Sequence, residues 1–166
     1  MSDAVDAIVG QWAAESPDLA GELWPIEVVA RIQRVNRVVE KQLKAFVTEH
    51  DLEPGELDVL STLRRSGPPY ALTAGSLVPA AMVTSGAISN RIARMEAKGL
   101  VERVRDGKDR RAVRIRLTAA GHALTETLMA AHLRHFEELL APLDRAACAT
   151  LAASLRTLLE AHGDTP

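Results

Sequence analysis

The chain has 166 residues, which is long enough for one compact domain with its own core and too short for two domains of ordinary size. Charged residues make up 25% and apolar residues 47% of it, a composition typical of globular proteins and unlike disordered or membrane-spanning chains. The chain starts without a basic and apolar leader, and its single Cys148 cannot form an internal disulfide, so we expect a cytoplasmic protein with no membrane association.

Helices are predicted throughout the first half of the chain, from apolar residues at helical spacing and from capping residues. Asp3 and Thr73 are suitable N-caps, and Pro25 suits a first helical turn. Pro54-Gly55 and the Ser-Gly-Pro-Pro run at 66–69 are breaks. The predicted helices cover residues 3–15, 25–50, 56–65 and 73–78.

The second half of the chain is predicted to contain two short strands as well as helices. Thr84 or Ser85 is predicted to cap a helix that ends at about Lys98, before Gly99. Residues 100–105 and 112–117 alternate apolar with charged side chains, and the Asp-Gly-Lys-Asp run between them is typical of a hairpin turn. Two further helices begin at Thr118 and Asp144. The sequence therefore predicts a mainly α fold with a small β-hairpin.

Charge is distributed unevenly along the chain. The net charge is −2, yet residues 84–116 hold ten Lys or Arg against four acids, a net charge of +6 that leaves −8 for the rest. An acidic body with one basic segment is typical of a protein that binds phosphate groups through that segment. A solvated charged surface without a ligand is the alternative interpretation.

The helix at 84–98 has two distinct sides on a helical wheel. Ile88, Ile92 and Met95 fall on one side, which we expect to pack inward. The opposite side combines small residues with Asn90 and Arg94, so it could approach DNA closely and reach base edges or phosphates. A helix pair followed by a basic hairpin predicts a winged helix-turn-helix.

Two motifs resemble the MarR family of transcription regulators. The run Ser-Gly-Ala-Ile-Ser-Asn-Arg-Ile at 85–92, followed by Leu-Val-Glu-Arg at 100–103, looks like the family's recognition helix. The run from Asp109 to Thr118, with Gly121 beyond it, is similar to the family's wing motif. The resemblance implies a single domain over 1–166, a winged helix-turn-helix lobe at 54–117, and helices within 1–53 and 118–166 that interlock into a homodimer.

The family resemblance also implies a function and a set of DNA-binding residues. The protein would bind double-stranded DNA at a pseudo-palindromic operator, as a repressor that a small effector releases. Ser85, Ser89 and Asn90 would face the major groove, and Arg111 would enter the minor groove with Asp109 orienting it. We call the helix at 84–98 the reading helix. Because this helix and the hairpin are basic, we add Arg94, Lys108 and Arg110 to the DNA-binding residues.

We consider three possible effector sites, two of them from the residues alone. Cys148 could sense peroxide, but its helix is rich in Ala and Leu, which is typical of a buried structural thiol. His132 and His135 could share a helix face and hold a metal ion together with Glu138, although two such histidines are more often a solvated surface.

The third effector site follows from a closer resemblance, to the urate-responsive PecS/HucR branch of the family. In that branch a Trp, an Asp and two Arg line the ligand pocket, which corresponds here to Trp12, Asp58, Arg65 and Arg91. A planar anion would be recognised by an aromatic wall and arginine forks. The HucR sequence has Asn in the place of Ser66, so another aromatic or organic acid is an open alternative. The structural alternative is that Trp12 anchors its helix in the core and the charges form ion pairs.

Other classes of function have less support. The chain has no Gly-rich nucleotide-binding loop, no Gly-x-Ser-x-Gly turn and no closed set of metal ligands, so neither an enzyme nor a cofactor is expected. A helical interaction protein that does not bind DNA would leave the basic hairpin unexplained.

Overall fold

The computed structural model describes residues 2–80, 85–105 and 113–164, and of residues 78–80 and 85–87 it describes the backbone alone. The chain divides into two compact units, Met1–Leu57 and Asp58–Pro166. The boundary falls inside a helix, where the sequence predicted a lobe beginning at residue 54. Each unit is described separately below.

The first unit is entirely helical. It contains α1 (Ala4–Glu15), a short 3-10 helix (Pro17–Glu22), α2 (Trp24–Thr48) and the first turn of α3 (Pro54–Arg65). Asp3 caps α1 as predicted: its carboxylate accepts hydrogen bonds from the backbone N–H groups of Val5 and Asp6, while the Asp6 carboxylate accepts one from the Asp3 N–H. This capping box satisfies N–H groups that have no partner within the helix. The 3-10 helix was not predicted.

One arginine of α2 binds both acids of that cap. Arg31 Nε lies 2.8 Å from Asp3 Oδ2, and Arg31 Nη2 lies 2.5 Å from Asp6 Oδ1. The hydrogen bond from Arg31 lowers the pKa of Asp3, and hydrogen bonds from the Asp3 backbone and from Arg31 lower the pKa of Asp6. Both carboxylates therefore stay ionised to lower pH than free Asp, and the ion pairs between α1 and α2 persist over the same range.

The second unit contains the sheet and the reading helix. After α3 come β1 (Ala71–Thr73), α4 (Ala74–Ala80), α5 (Ser85–Ala97), β2 (Val101–Arg105), β3 (Val113–Leu117), α6 (Ala119–Leu140) and α7 (Arg145–Ala161). The strand order is β1-β3-β2, with both pairs antiparallel. The predicted cap Thr73 and the predicted helix starts Thr118 and Asp144 each accept a hydrogen bond from the backbone N–H three residues on, and Gly99 has φ +69° after α5. These caps explain why the predicted helix bounds agree closely with the observed ones.

The sheet has one strand more than the predicted hairpin. β1 pairs with β3 in the register Ala71 to Arg116, Leu72 to Ile115 and Thr73 to Arg114. A segment of three residues is too short for alternation to identify it as a strand, so the sequence indicated only a loop and a cap there. The third strand fixes the base of the hairpin against the segment that follows α3.

The core of the second unit lies under the reading helix. Ile88, Ile92 and Met95 are buried as predicted, on the same side of α5. Apolar residues from α3, α4, the sheet and α6 are buried with them, among them Leu60, Leu63, Leu77, Ile115 and Leu128. This burial determines which side of α5 faces outward.

The terminal helices expose apolar side chains. In α2 the exposed set is Trp24, Val28, Val29, Ile32, Val35 and Val38, and in α7 it is Leu151, Leu155, Leu158 and Leu159. No residue of α7 is buried. Apolar faces of this extent are typical of surfaces that a partner subunit covers. Among the described helices, none is both long enough and apolar enough to cross a bilayer.

Gly121, in the first turn of α6, allows a very close backbone approach. A Cβ at this position would lie 1.9 Å from the carbonyl oxygen of Leu100, which also accepts the N–H of Thr118. Because that oxygen belongs to backbone, the clash cannot be relieved by a rotamer change. We expect Gly121→Ala to lower the free energy of unfolding by about 2–4 kcal/mol.

Thermal unfolding at fixed protein concentration measures this effect, and Gly10→Ala is the matched control. Gly10 also lies in a helix, but a Cβ there would meet nothing within 4 Å. We expect Gly10→Ala to be neutral or to stabilise the protein by up to about 1 kcal/mol. Equal melting temperatures for the two variants would contradict the close approach at Gly121.

Candidate nucleic-acid interface and ligand site

The outward side of α5 carries the residues that the sequence assigned to DNA. Ser89, Asn90, Ala93 and Ala97 are exposed, and Arg94 is half-buried. Small side chains at 93 and 97 leave room for a close approach, while Asn90 projects between them and the start of the helix. Ser85 lies in the first turn of α5, and the structure describes only its backbone.

Part of the basic segment has a structural role in the sheet. Arg103 Nε lies 2.9 Å from Glu96 Oε2, which ties β2 to α5, and Arg116 Nη2 lies 2.8 Å from Glu102 Oε1 across the β2–β3 pair. Arg114 donates to the carbonyl oxygen of Ala71. The charge count along the sequence therefore overstates how many of these cations face DNA. The predicted wing residues Lys108, Asp109, Arg110 and Arg111 lie outside the described residues.

Three of the four predicted ligand residues come together in the second unit. Asp58 is half-buried on α3, and its pKa is raised by burial, against the opposing charges of Arg65 and Arg91. Asp58 and Arg65 are two turns apart on one side of α3, and the positive charges of Arg65 and of Arg91, on α5, both act on the Asp58 carboxylate. A half-buried carboxylate on α3 thus lies within electrostatic range of the half-buried Arg91 on α5 and of the exposed Arg65.

Arg91 has hydrogen-bonding capacity that the described residues do not use. Its Nη1 atom is buried and has no hydrogen-bond partner among them. A buried guanidinium nitrogen without a partner is costly, because it has lost water and gained nothing in exchange. An anion or a carbonyl oxygen at this point would satisfy it.

Trp12, the fourth predicted ligand residue, belongs to the first unit. It lies on α1, and 51% of its surface is exposed. The alternative in which Trp12 anchors α1 in the core of the chain is therefore wrong. Its part in a ligand site remains a prediction from the family resemblance.

The other candidate sensors are placed as follows. His132 and His135 lie on α6, and burial together with the neighbouring His135 lowers the pKa of His132. Among the described residues, no group of three or more His, Cys, Asp or Glu could hold a metal ion. Cys148 is a free, half-buried thiol in α7.

A cluster of four side chains, which was not predicted from the sequence, includes Arg64, the neighbour of the predicted ligand residue Arg65. Arg64 forms an ion pair with Glu126, its guanidinium lies over the ring of Tyr70, and Tyr70 contacts His122. Arg64 and Glu126 are 62 positions apart, so no local pattern could have indicated the pairing.

Comparison with known proteins identifies the family of this chain. The family model described as MarR family matches residues 50–112. The HTH-type transcriptional regulator PecS of Dickeya dadantii is 35% identical over 83% of this chain and 82% of its own length. The multiple antibiotic resistance protein MarR of Salmonella typhimurium is 28% identical over 86% of this chain and 94% of its own.

Solved structures share the fold. A mutant MarR from E. coli, complexed with operator DNA, superposes with a TM-score of 0.68 at 26% identity, covering 95% of this chain and 99% of that one. The exposed apolar faces of the terminal helices are consistent with the dimer interface of this fold. The chain therefore belongs to the MarR family and is a DNA-binding transcription regulator with a winged helix-turn-helix fold, rather than an enzyme.

Proposed function

We propose that the protein is a homodimeric repressor that binds a pseudo-palindromic operator and is released from it by a small planar anion such as urate. Each α5 helix would read one half-site through Ser85, Ser89, Asn90 and Arg94. The wing would hold the flanking backbone and minor groove through Lys108, Asp109, Arg110 and Arg111. Twofold symmetry of the dimer requires two half-sites about one helical turn apart.

The effector would bind among Trp12, Asp58, Arg65 and Arg91. The observation that carries this proposal is the buried Nη1 of Arg91, which has no partner among the described residues, next to a half-buried carboxylate. Guanidinium forks suit the coplanar oxygen and nitrogen atoms of a purine-like anion. As the family resemblance implies, Trp12 would supply a flat wall for such a ring.

Through Arg91, a bound ligand would change the position of the helix that binds DNA. Arg91 belongs to the reading helix α5, whereas Asp58 and Arg65 belong to α3. A ligand that draws Arg91 toward α3 changes the position of α5, and the two half-site helices of the dimer lose their spacing. DNA affinity then falls by the ratio of the ligand affinities of the two conformations.

The test is a titration of the full-length protein on DNA from upstream of its own coding region. Urate, xanthine and salicylate are added separately, and release of DNA is followed by gel shift while ligand binding is followed by Trp fluorescence. Release by urate supports the proposal, and release by salicylate alone would replace urate with a smaller aromatic acid. If no planar anion releases the DNA, the ligand class is wrong.

Asp58 should make the binding of the anion depend on pH. Burial raises the pKa of this carboxyl, and an anion beside it would raise that pKa further by repulsion. Proton uptake by Asp58 therefore accompanies anion binding, so affinity should increase as the pH falls from about 8 toward about 5. In Asp58→Asn the repulsion is absent, and we expect tighter binding with a flatter pH profile.

Isothermal titration of wild type and Asp58→Asn at several pH values measures the difference. Glu137→Gln is the matched control, since it removes an exposed carboxylate of α6 from the same unit. Subtracting one profile from the other removes the titration of the ligand itself. Parallel profiles for wild type and Asp58→Asn would contradict the role of Asp58.

A further inference from the structure

Four side chains from three elements form a closed cluster at the base of the sheet. Arg64, near the end of α3, forms an ion pair with Glu126 of α6, and its Cζ lies 5.2 Å from the centre of the Tyr70 ring. On its other side Tyr70 meets His122 of α6 edge to face, with ring centres 4.9 Å apart. His122 Nε2 lies 4.0 Å from Glu126 Oε1, which closes the cluster.

The backbone at Tyr70 is unusual. Its φ is +57°, in the left-handed region that bulky side chains rarely adopt. Such a conformation persists only where its surroundings hold it, and it is found preferentially at functional positions. Here the Tyr70 N–H donates to the Gly67 carbonyl at 2.7 Å, and the ring is held between Arg64 and His122.

Tyr70 also joins the segment after α3 to the sheet. The next residue, Ala71, begins β1, which pairs with β3. The carbonyl oxygen of Tyr70 accepts the N–H of Leu117, the last residue of β3, at 3.1 Å. The start of one strand and the end of its neighbour therefore meet at this residue, and β3 is the second strand of the β2–β3 hairpin.

We propose that Tyr70 is a positioning residue for DNA binding. The cluster holds the base of the β1-β3-β2 sheet against α3 and α6, and in this way it determines where the hairpin lies relative to the reading helix α5. Tyr70 acts through the sheet and does not contact DNA. The exposed ion pair of Arg64 with Glu126 adds little to stability by itself, so its contribution is to orient the guanidinium over the ring.

The experiment compares two substitutions of Tyr70 in the full-length dimer. Tyr70→Phe keeps the ring and both of its contacts, and we expect DNA affinity within about twofold of wild type. Tyr70→Asn keeps a residue that tolerates the left-handed backbone but removes the ring. We expect it to lose about tenfold in operator affinity and about one unit of salt slope, because the hairpin no longer makes all of its phosphate contacts.

Affinity and salt slope are measured well below the melting temperature, with thermal unfolding recorded in parallel. A lower melting temperature for Tyr70→Asn with unchanged affinity and salt slope would show that the cluster is only structural and would overturn the proposal. If Tyr70→Asn does not fold, Glu126→Gln decides instead, because Glu126 is half-exposed. We expect about twofold to threefold weaker binding from Glu126→Gln, and wild-type binding would overturn the proposal equally.

Discussion

Arg91→Met should shift the release of operator DNA to much higher urate concentrations. A charged hydrogen bond in a partly desolvated site contributes about 1.5–3 kcal/mol, so the loss of ligand affinity should be about tenfold to a hundredfold. Arg91 offers a buried Nη1 that no described residue satisfies, and Met fills a similar length without a donor. In the absence of ligand we expect DNA affinity to change by less than about threefold, since Arg91 is half-buried and its Nη1 is buried, unlike the exposed residues of the outward face.

Two further variants make this experiment specific. Arg91→Lys keeps the charge but loses the fork, and we expect it to bind urate more weakly than wild type and more tightly than Arg91→Met. Lys98→Met removes a cation just beyond the end of α5 and serves as the matched control, with a wild-type response expected. Release by urate that survives both Arg91→Met and Trp12→Phe unchanged would show that the ligand binds elsewhere.

Asn90→Ala should weaken binding to the operator by about tenfold to a hundredfold. An Asn that pairs with a base edge contributes about 1–3 kcal/mol of discrimination against the wrong base. Asn90 is exposed on the outward face of α5 between small residues, so truncation removes a hydrogen-bonding group without disturbing the buried side. Because no phosphate charge is involved, the dependence of affinity on salt should stay the same.

Arg111→Ala should change the salt dependence of DNA binding and leave its sequence specificity the same. If Arg111 neutralises one phosphate equivalent, its loss should lower the salt slope by about one unit and weaken operator and unrelated DNA together. Fluorescence anisotropy on both duplexes over a range of salt concentrations separates the two effects, with Arg156→Ala on α7 as a control for loss of charge. An Asn90→Ala variant that loses affinity equally for operator and unrelated DNA would contradict base reading.

Local features of the structure were predictable from the sequence. The helix bounds, the caps at Asp3, Thr73, Thr118 and Asp144, and the inward side of α5 depend on residues within about four positions of each other. Periodicity and capping chemistry contain that information directly. The ligand residues were a different case, since only the family resemblance brought Asp58, Arg65 and Arg91 together before the structure was known.

The sequence by itself therefore determined the order and bounds of the α-helices, the hairpin strands and the outward side of α5, which we propose meets DNA. Only the tertiary structure decided the third strand, the cluster around Tyr70, and the burial of Arg91 Nη1 beside Asp58. It also decided that Trp12 and the apolar residues of α7 lie on the surface, where the pattern alone suited a core equally well. The physical reason is that strand pairing, ion pairs and burial depend on residues that are distant in sequence, and an apolar stripe does not specify what covers it.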